Sequence, residues 1–194
     1  MLHSLMPKGN RVSLQRWRDT VGREVAEYIT SQSAKNGTVT HEIIEQYLNN
    51  QRIENDNSLS LISRAHLSQL KPLLHNIDNI RCTEIPLYSD TMKLAGTCDC
   101  IAEYNNKLSI IDFKTSRKQK KESWILNYFL QVTAYSKMYE HLTNVKIDQI
   151  VILISGEDGT VSEFVKDVNQ YSEILENKLL EFENVRHKVE AISQ

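Results

Sequence analysis

The sequence predicts an α/β fold in which helices flank a mixed central sheet. Three observations lead there. Residues 13–76 carry apolar side chains near helical spacing, β-rich runs follow between residues 82 and 115, and the rest alternates helix, strand, strand, helix. In residues 13–33, Leu14, Trp17, Val21, Val25, Tyr28 and Ile29 define one helical face, and Asn36-Gly37 is the expected break. A second helix starts at Thr38 or Thr40 and carries Ile43, Ile44, Tyr47 and Leu48. A third covers residues 58–76, with Leu59, Ile62, Leu67, Leu70 and Leu73 in register and Pro72 as a potential kink. A polar stretch, Asn55 to Ser58, separates the two.

Residues 82–88 and 94–104 read as strands. Asn105-Asn106 is a turn signal, and residues 107–115 (KLSIIDFKT) are strongly β. Residues 123–142 return to helix. Residues 148–155 form a buried strand, Gly156 to Gly159 a turn, and residues 160–166 another strand. A final helix from Asn169 to Ile192 aligns Tyr171, Ile174, Leu175, Leu179, Phe182, Val185 and Val189.

The 194 residues suit one domain, 1–194, and no internal repeat or low-complexity linker divides them. Hydrophobic residues make up 40% and charged residues 25%, as in ordinary globular proteins, and no run approaches the roughly 20 apolar residues of a membrane span. Lys8, Arg11, Arg16 and Arg18 near the start faintly resemble a mitochondrial transit segment. The helical pattern running from Leu14 into the domain argues against that reading. Cys82, Cys98 and Cys100 are odd in number and lack CxxC spacing, which disfavours a disulfide framework or a zinc site and points to a reducing, intracellular setting. The cytoplasm of a bacterial or phage-infected cell is expected ahead of the mitochondrion. The net charge of -2 gives no global basic field, so any nucleic-acid contact must come from a local patch.

The hairpin carries the chemistry. With a two-residue turn at Asn105-Asn106, Tyr104 pairs with Lys107, and paired residue numbers in an antiparallel ladder keep a constant total. Asp99 then falls opposite Asp112 and Thr97 opposite Lys114. Directly opposed Cβ atoms lie about 4.5–5.5 Å apart, and period 2 puts Lys114 on the face of Asp112 and Phe113 on the other. Two facing carboxylates are destabilising unless compensated. Lys114 supplies one charge, and a divalent cation of the Mg²⁺ type removes the conflict, which is the chemistry of phosphodiester hydrolysis. An arbitrary Asp-x-Lys is more often an exposed strand-edge pair. The apolar neighbours in IIDFK imply a buried central strand and favour the functional reading.

Other constellations are weaker alone. His41 and Glu45 share a helix face, so His41 could ligate a metal with Glu45 holding its other nitrogen; taken alone, a surface ion pair in the first helical turn is the better reading. Gln131 and Tyr135 are also four apart, on the helix after the hairpin; their polar ends could reach substrate or the site's backbone, or Tyr135 lines the core and Gln131 faces solvent. Ser116, Arg117, Lys118, Lys120 and Lys121 leave the end of the catalytic strand as a phosphate-binding segment or as a solvated face. Trp124 and Tyr128 could stack a base, though core packing is expected of at least one of them.

Together, His41, Asp99, Asp112-Phe113-Lys114 and the Q-x-x-x-Y run from Gln131 to Tyr135 resemble the RecB-like branch of the PD-(D/E)xK nucleases. GTVTHEIIEQYL (37–48), LAGTCDCIAEYNNKLSIIDFKTS (94–116) and LQVTAY (130–135) are similar to the mitochondrial genome maintenance exonucleases and their phage relatives within that branch. The resemblance implies a restriction-endonuclease-like core preceded by helices. It implies metal ligation by His41, Asp99, Asp112 and the Phe113 carbonyl, and a catalytic role for Lys114. Gln131 and Tyr135 would support the site or the DNA, and Glu84 and Glu45 would stand behind the ligands. Mg²⁺ is the implied cofactor, Mn²⁺ its substitute, and no iron–sulfur cluster is expected. The expected function is exonucleolytic hydrolysis of single-stranded or flap DNA from free ends, in replication, repair or recombination, by a monomer acting on DNA and not on membranes. The alternatives are an endonuclease with the same metal site and a non-catalytic nucleic-acid-binding module.

Overall fold

A computed structural model describes residues 8–53 and 60–192; the polar stretch from Asn55 to Ser58 and the expected start of the third helix at 58 lie outside them. The described residues begin with α1 (Lys8–Val21) and α2 (Arg23–Leu48). The first helix therefore breaks fifteen residues earlier than the sequence predicts, at Gly22 rather than at Asn36-Gly37. Gly22 has φ 85° and ψ 152°, a backbone conformation that side chains with a Cβ rarely adopt.

Gly37 stays helical although glycine costs about 1 kcal/mol there relative to alanine. Tertiary contacts hold this turn. The Asn36 carbonyl accepts hydrogen bonds from Thr40 Oγ1 at 2.7 Å and from Ser63 Oγ at 3.3 Å. A Cβ on Gly37 would stand 3.7 Å from Thr115 Oγ1, so the helix runs close to the end of a strand. Because α2 is continuous, His41 lies in its interior and not in a first turn.

Helix α3 (Leu61–Leu74) is capped by Ser60, whose side chain accepts from the Ser63 N–H at 3.1 Å. Pro72 falls in its last turn, and the helix ends two residues later. The strands are β1 (Ile77–Ser89), β2 (Leu94–Tyr104), β3 (Lys107–Ser116), β4 (Gln149–Gly156) and β5 (Val161–Asp167), with α4 (Leu126–Thr143) before β4 and α5 (Ser172–Ile192) at the end. Short 3-10 turns at Glu122–Trp124 and Val168–Tyr171 take up the expected beginnings of the last two helices. Strand β1 begins five residues before the expected 82, because Ile77–Arg81 pairs irregularly: Asn79 has φ 45°, and the register shifts between Asp78 and Cys82.

The described strands form one five-stranded sheet in the order β1-β2-β3-β4-β5. Only β3 and β4 run parallel; the other neighbours are antiparallel. Strand β3 is central, as the unbroken apolar run before Asp112 requires. Helices α2 and α3 cover one face, where Ile43, Ile44, Leu67 and Leu70 pack on Cys100, Ile111, Phe113, Val151 and Leu153. Helices α4 and α5 cover the other, where Phe129, Val132, Met138 and Leu175 pack on Ile101, Ile110, Ile150 and Ile152. No helix among the described residues is long and apolar enough to cross a membrane.

Candidate active site

The hairpin turn is the two-residue type. Asn105 and Asn106 have φ 52° and 63°, a left-handed pair that asparagine tolerates and that matches the strand twist. The ladder then runs from Tyr104–Lys107 to Cys100–Ile111. There it stops. The next step would set Asp99 against Asp112, but the Phe113 N–H donates instead to Asp99 Oδ2 at 2.8 Å. Beyond this point β2 continues against β1 (Cys98 with Ile85, Thr97 with Pro86), while β3 continues against β4 as far as Ser116 and Gly156. Thr97 therefore pairs with Pro86 and not with Lys114, because the two middle strands part where the acids begin.

The parting is a local irregularity in both strands. Cys98 and Cys100 are two apart yet belong to cores on opposite faces of the sheet, so alternation breaks at Asp99. Across from it, Glu84 has φ 46°, and Cys82 and Ile85, three apart, both pack against the α4 side. A non-glycine residue held left-handed in a strand stores strain of the kind that re-aims side chains at sites.

The parted strands and α2 bring five side chains together. His41 Nδ1 lies 3.4 Å from Asp99 Oδ2 and 4.0 Å from Glu84 Oε1. His41, Glu84 and Asp99 offer ligand atoms that all lie within 4.8 Å of one another. On β3, Lys114 Nζ meets Asp112 Oδ1 at 2.6 Å. Asp112 is 1% exposed, and its second oxygen, Oδ2, has no hydrogen-bond partner among the described residues. An anionic oxygen left this way is costly and needs either a proton or a cation.

Protonation follows from these contacts. Burial opposes charging of His41, but the hydrogen bond and the charge of Asp99 outweigh it and raise its pKa. Burial alone would raise Asp99, yet His41, Lys114 and the Phe113 N–H together hold it below the usual carboxylate range. Burial pushes Asp112 up to about 6 against the pull of Lys114, with the Asp99 charge adding to the rise. Burial likewise raises Glu84, with Asp99 as the next cause. Burial disfavours the Lys114 ammonium, but Asp112 and Asp99 more than restore it and raise its pKa.

A divalent cation fits this arrangement on two grounds. The orphaned Asp112 Oδ2 is a buried anionic donor, and the neighbouring donors are carboxylate oxygens and one imidazole, a set that suits Mg²⁺ or Mn²⁺. Glu84, expected to stand behind the ligands, has a carboxylate oxygen within 4.8 Å of the His41 and Asp99 donors and so joins the candidate group. Glu45 does not reach His41's other nitrogen; its Oε1 accepts from Thr83 Oγ1 of β1 at 3.2 Å. Asn49 Nδ2 donates to the same Thr83 hydroxyl at 3.1 Å. The Phe113 side chain is buried in the α2–α3 core.

On α4, Gln131 Nε2 donates to the Tyr135 hydroxyl at 3.2 Å. Tyr135 presses on β2 at Gly96, where a Cβ would stand 2.7 Å from its hydroxyl oxygen. Lys114 Nζ also lies 5.4 Å from the centre of the Tyr128 ring, a contact that no motif in the sequence announces. Trp124 is exposed, with Lys121 Nζ 5.5 Å from its ring centre. In the basic segment, Ser116 Oγ donates to the Lys118 carbonyl at 2.7 Å, and the Gln119 N–H donates to Asp158 Oδ2 at 3.2 Å. Arg117, Lys118 and Lys121 are exposed and Lys120 is half-buried, so the segment begins two residues past Lys114 and faces solvent.

The fold, with two acids and a lysine where its central strands part, is that of a nuclease core, and the chain belongs to the PD-(D/E)XK nuclease superfamily, whose sequence profile matches residues 12–192. Nucleases of this superfamily use divalent metals, in keeping with the ligand group. The chain is similar to mitochondrial genome maintenance exonuclease 1 of Homo sapiens, with 29% identity over 169 residues that cover 82% of this chain and 48% of that protein. The Mus musculus protein of the same name is 29% identical over 171 residues, covering 82% and 49%. The chain thus spans about half the length of the curated relatives it matches. In fold it is similar to a candidate exonuclease from Eubacterium rectale, with a TM-score of 0.52 and 8% identity, covering 74% of this chain and 63% of that one.

Proposed function

We propose that this chain is a Mg²⁺-dependent deoxyribonuclease that hydrolyses single-stranded or flap DNA from free ends, in replication, repair or recombination. The observation that carries the reading is the buried, unpartnered Asp112 Oδ2 beside the His41–Glu84–Asp99 group. His41, Asp99, Asp112 and the Phe113 carbonyl would hold the ion, with Glu84 as a further donor. When bound, Mg²⁺ supplies Lewis acidity toward a phosphoryl oxygen and toward water. Lys114, charged and held by Asp112, stabilises the negative charge that grows on the phosphoryl group. Gln131 and Tyr135 brace β2 from α4. Ser116, Arg117, Lys118, Lys120 and Lys121 contact backbone phosphates next to the scissile one.

The curated proteins to which the chain is similar are named exonucleases, which supports the requirement for an end. End-labelled linear single strands, blunt duplexes and single-stranded circles, each with Mg²⁺ or EDTA, test the reading. Rapid loss of linear single strands, slow attack on duplex, survival of circles and silence in EDTA are expected. Circles nicked as fast as linear strands are degraded would make it an endonuclease. DNA binding without cleavage in Mg²⁺ or Mn²⁺ would make it a binding module.

A further inference from the structure

Tyr128, Gln131 and Tyr135 stand at positions i, i+3 and i+7 of α4 and share one helical face. Gln131 and Tyr135 bond to each other, and Tyr135 rests on Gly96 of β2. Tyr128, one turn earlier, reaches β3, where its ring lies 5.4 Å from Lys114 Nζ. We propose that Tyr128 is a positioning residue that aims the Lys114 ammonium at the scissile phosphate; this rests on the nuclease reading above.

The lysine stem is long and rotatable, and its ammonium has three equivalent donors. One N–H goes to Asp112 Oδ1 at 2.6 Å. That carboxylate is also a candidate ligand, so a bound cation draws on the same group that anchors the lysine. An aromatic face holds a cation without consuming a particular N–H, because the ring attracts the charge as a whole. Tyr128 thus keeps the ammonium in place while leaving N–H groups free for phosphate or water. The ring is suited to this by its own fixation: it is half-buried and packs against the core formed by Phe129 and Ile110. The same contact weakens the alternative in which Tyr128 stacks a base, since the ring already faces Lys114.

The test separates aim from grip. Tyr128→Leu removes the face and should lower kcat roughly ten-fold with KM for DNA unchanged, whereas Tyr128→Phe keeps the face and should stay within about two-fold of wild type. Should the Leu variant melt early, Tyr128→Met, which retains the bulk without the ring face, carries the same expectation. A rise in KM at constant kcat would make Tyr128 a DNA contact and overturn the proposal, as would a Phe variant as slow as Leu. An independent readout needs no activity. Ring-current shielding should move the Lys114 Cε proton signal upfield in the NMR spectrum, assigned by its absence in Lys114→Arg, and Tyr128→Leu should abolish the shift. An unshifted wild-type signal sinks the positioning role, while inactive wild type with a shifted signal sinks the nuclease reading alone.

Discussion

Asp112 and Lys114, two residues apart on β3, form an ion pair at 2.6 Å that engages one carboxylate oxygen and leaves Oδ2 buried without a hydrogen-bond partner among the described residues. The lysine balances one charge, while Asp99 places a second carboxylate nearby. With Glu84 in the same group, three carboxylates face one ammonium, and when His41 is neutral a divalent ion supplies the two missing charges.

Binding should consequently stabilise the fold. At about a hundred times Kd, Mg²⁺ contributes about 2.7 kcal/mol, which for a chain of this size is roughly 5–10 °C in Tm. Asp112→Asn should abolish both the shift and DNA cleavage. Thermal melts with and without the ion check this; an equal shift in the variant would place the ion elsewhere. Because His41 supplies an imidazole nitrogen, Mn²⁺ should reach the same Tm at lower concentration than Mg²⁺.

The pH dependence has a definite sign. Asp112 is raised to about 6 from its ordinary 3.8, so between those values the folded metal-free protein holds the extra proton and loses stability as pH rises. His41, raised from 6.5, contributes stability that is complete below 6.5 and is lost as pH climbs through its folded value. Asp99, lowered from 3.8, acts in the opposite sense, but only below that value. The metal-free Tm should therefore fall between pH 5 and pH 8, and saturating Mg²⁺ should flatten or reverse the fall, because the ion needs Asp112 ionised and His41 neutral. Melts across that range decide the matter, and a metal-free Tm that rises with pH would contradict it.

Gly96 and Tyr135 should behave as a coupled pair. A Cβ at residue 96 would stand 2.7 Å from the Tyr135 hydroxyl and 3.1 Å from a ring carbon. Gly96→Ala should cost about 1–3 kcal/mol through overpacking and slow cleavage by shifting β2 beside Asp99. Tyr135→Phe removes the nearest atom, so the double variant should be less destabilised than the two single effects added together. Strict additivity in denaturant unfolding would deny the contact.

The basic segment should read out in salt. Replacing Arg117, Lys118, Lys120 and Lys121 with glutamine should weaken single-strand binding and lower the log–log salt slope by roughly 0.7 for each phosphate that is no longer neutralised. Binding titrations from low to moderate salt measure it, and an unchanged slope would leave the run as solvated surface. Lys121, already over Trp124, should contribute least.

Much of the site was legible because its geometry is local. A two-residue Asn-Asn turn sets the hairpin register, and period 2 then puts Asp112 and Lys114 on one face; neither step needs the rest of the chain. Helical spacing likewise joined Gln131 to Tyr135. Glu84's place beside His41 and Asp99, the contact of Tyr128 with Lys114 and the parting of β2 from β3 arise from elements distant in sequence. Local spacing runs the first helix through Gly22 and marks Asn36-Gly37 as the break, whereas the fold breaks at Gly22 and keeps Gly37 helical. Packing of Asn36 on α3 and of Gly37 beside Thr115 kept Gly37 helical, a gain exceeding the roughly 1 kcal/mol of propensity against it. That decision carried His41 into the helix interior. Short-range rules thus name the acids and the lysine, whereas the groups gathered around them are decided by long-range packing, whose energies exceed the local preferences that a sequence displays.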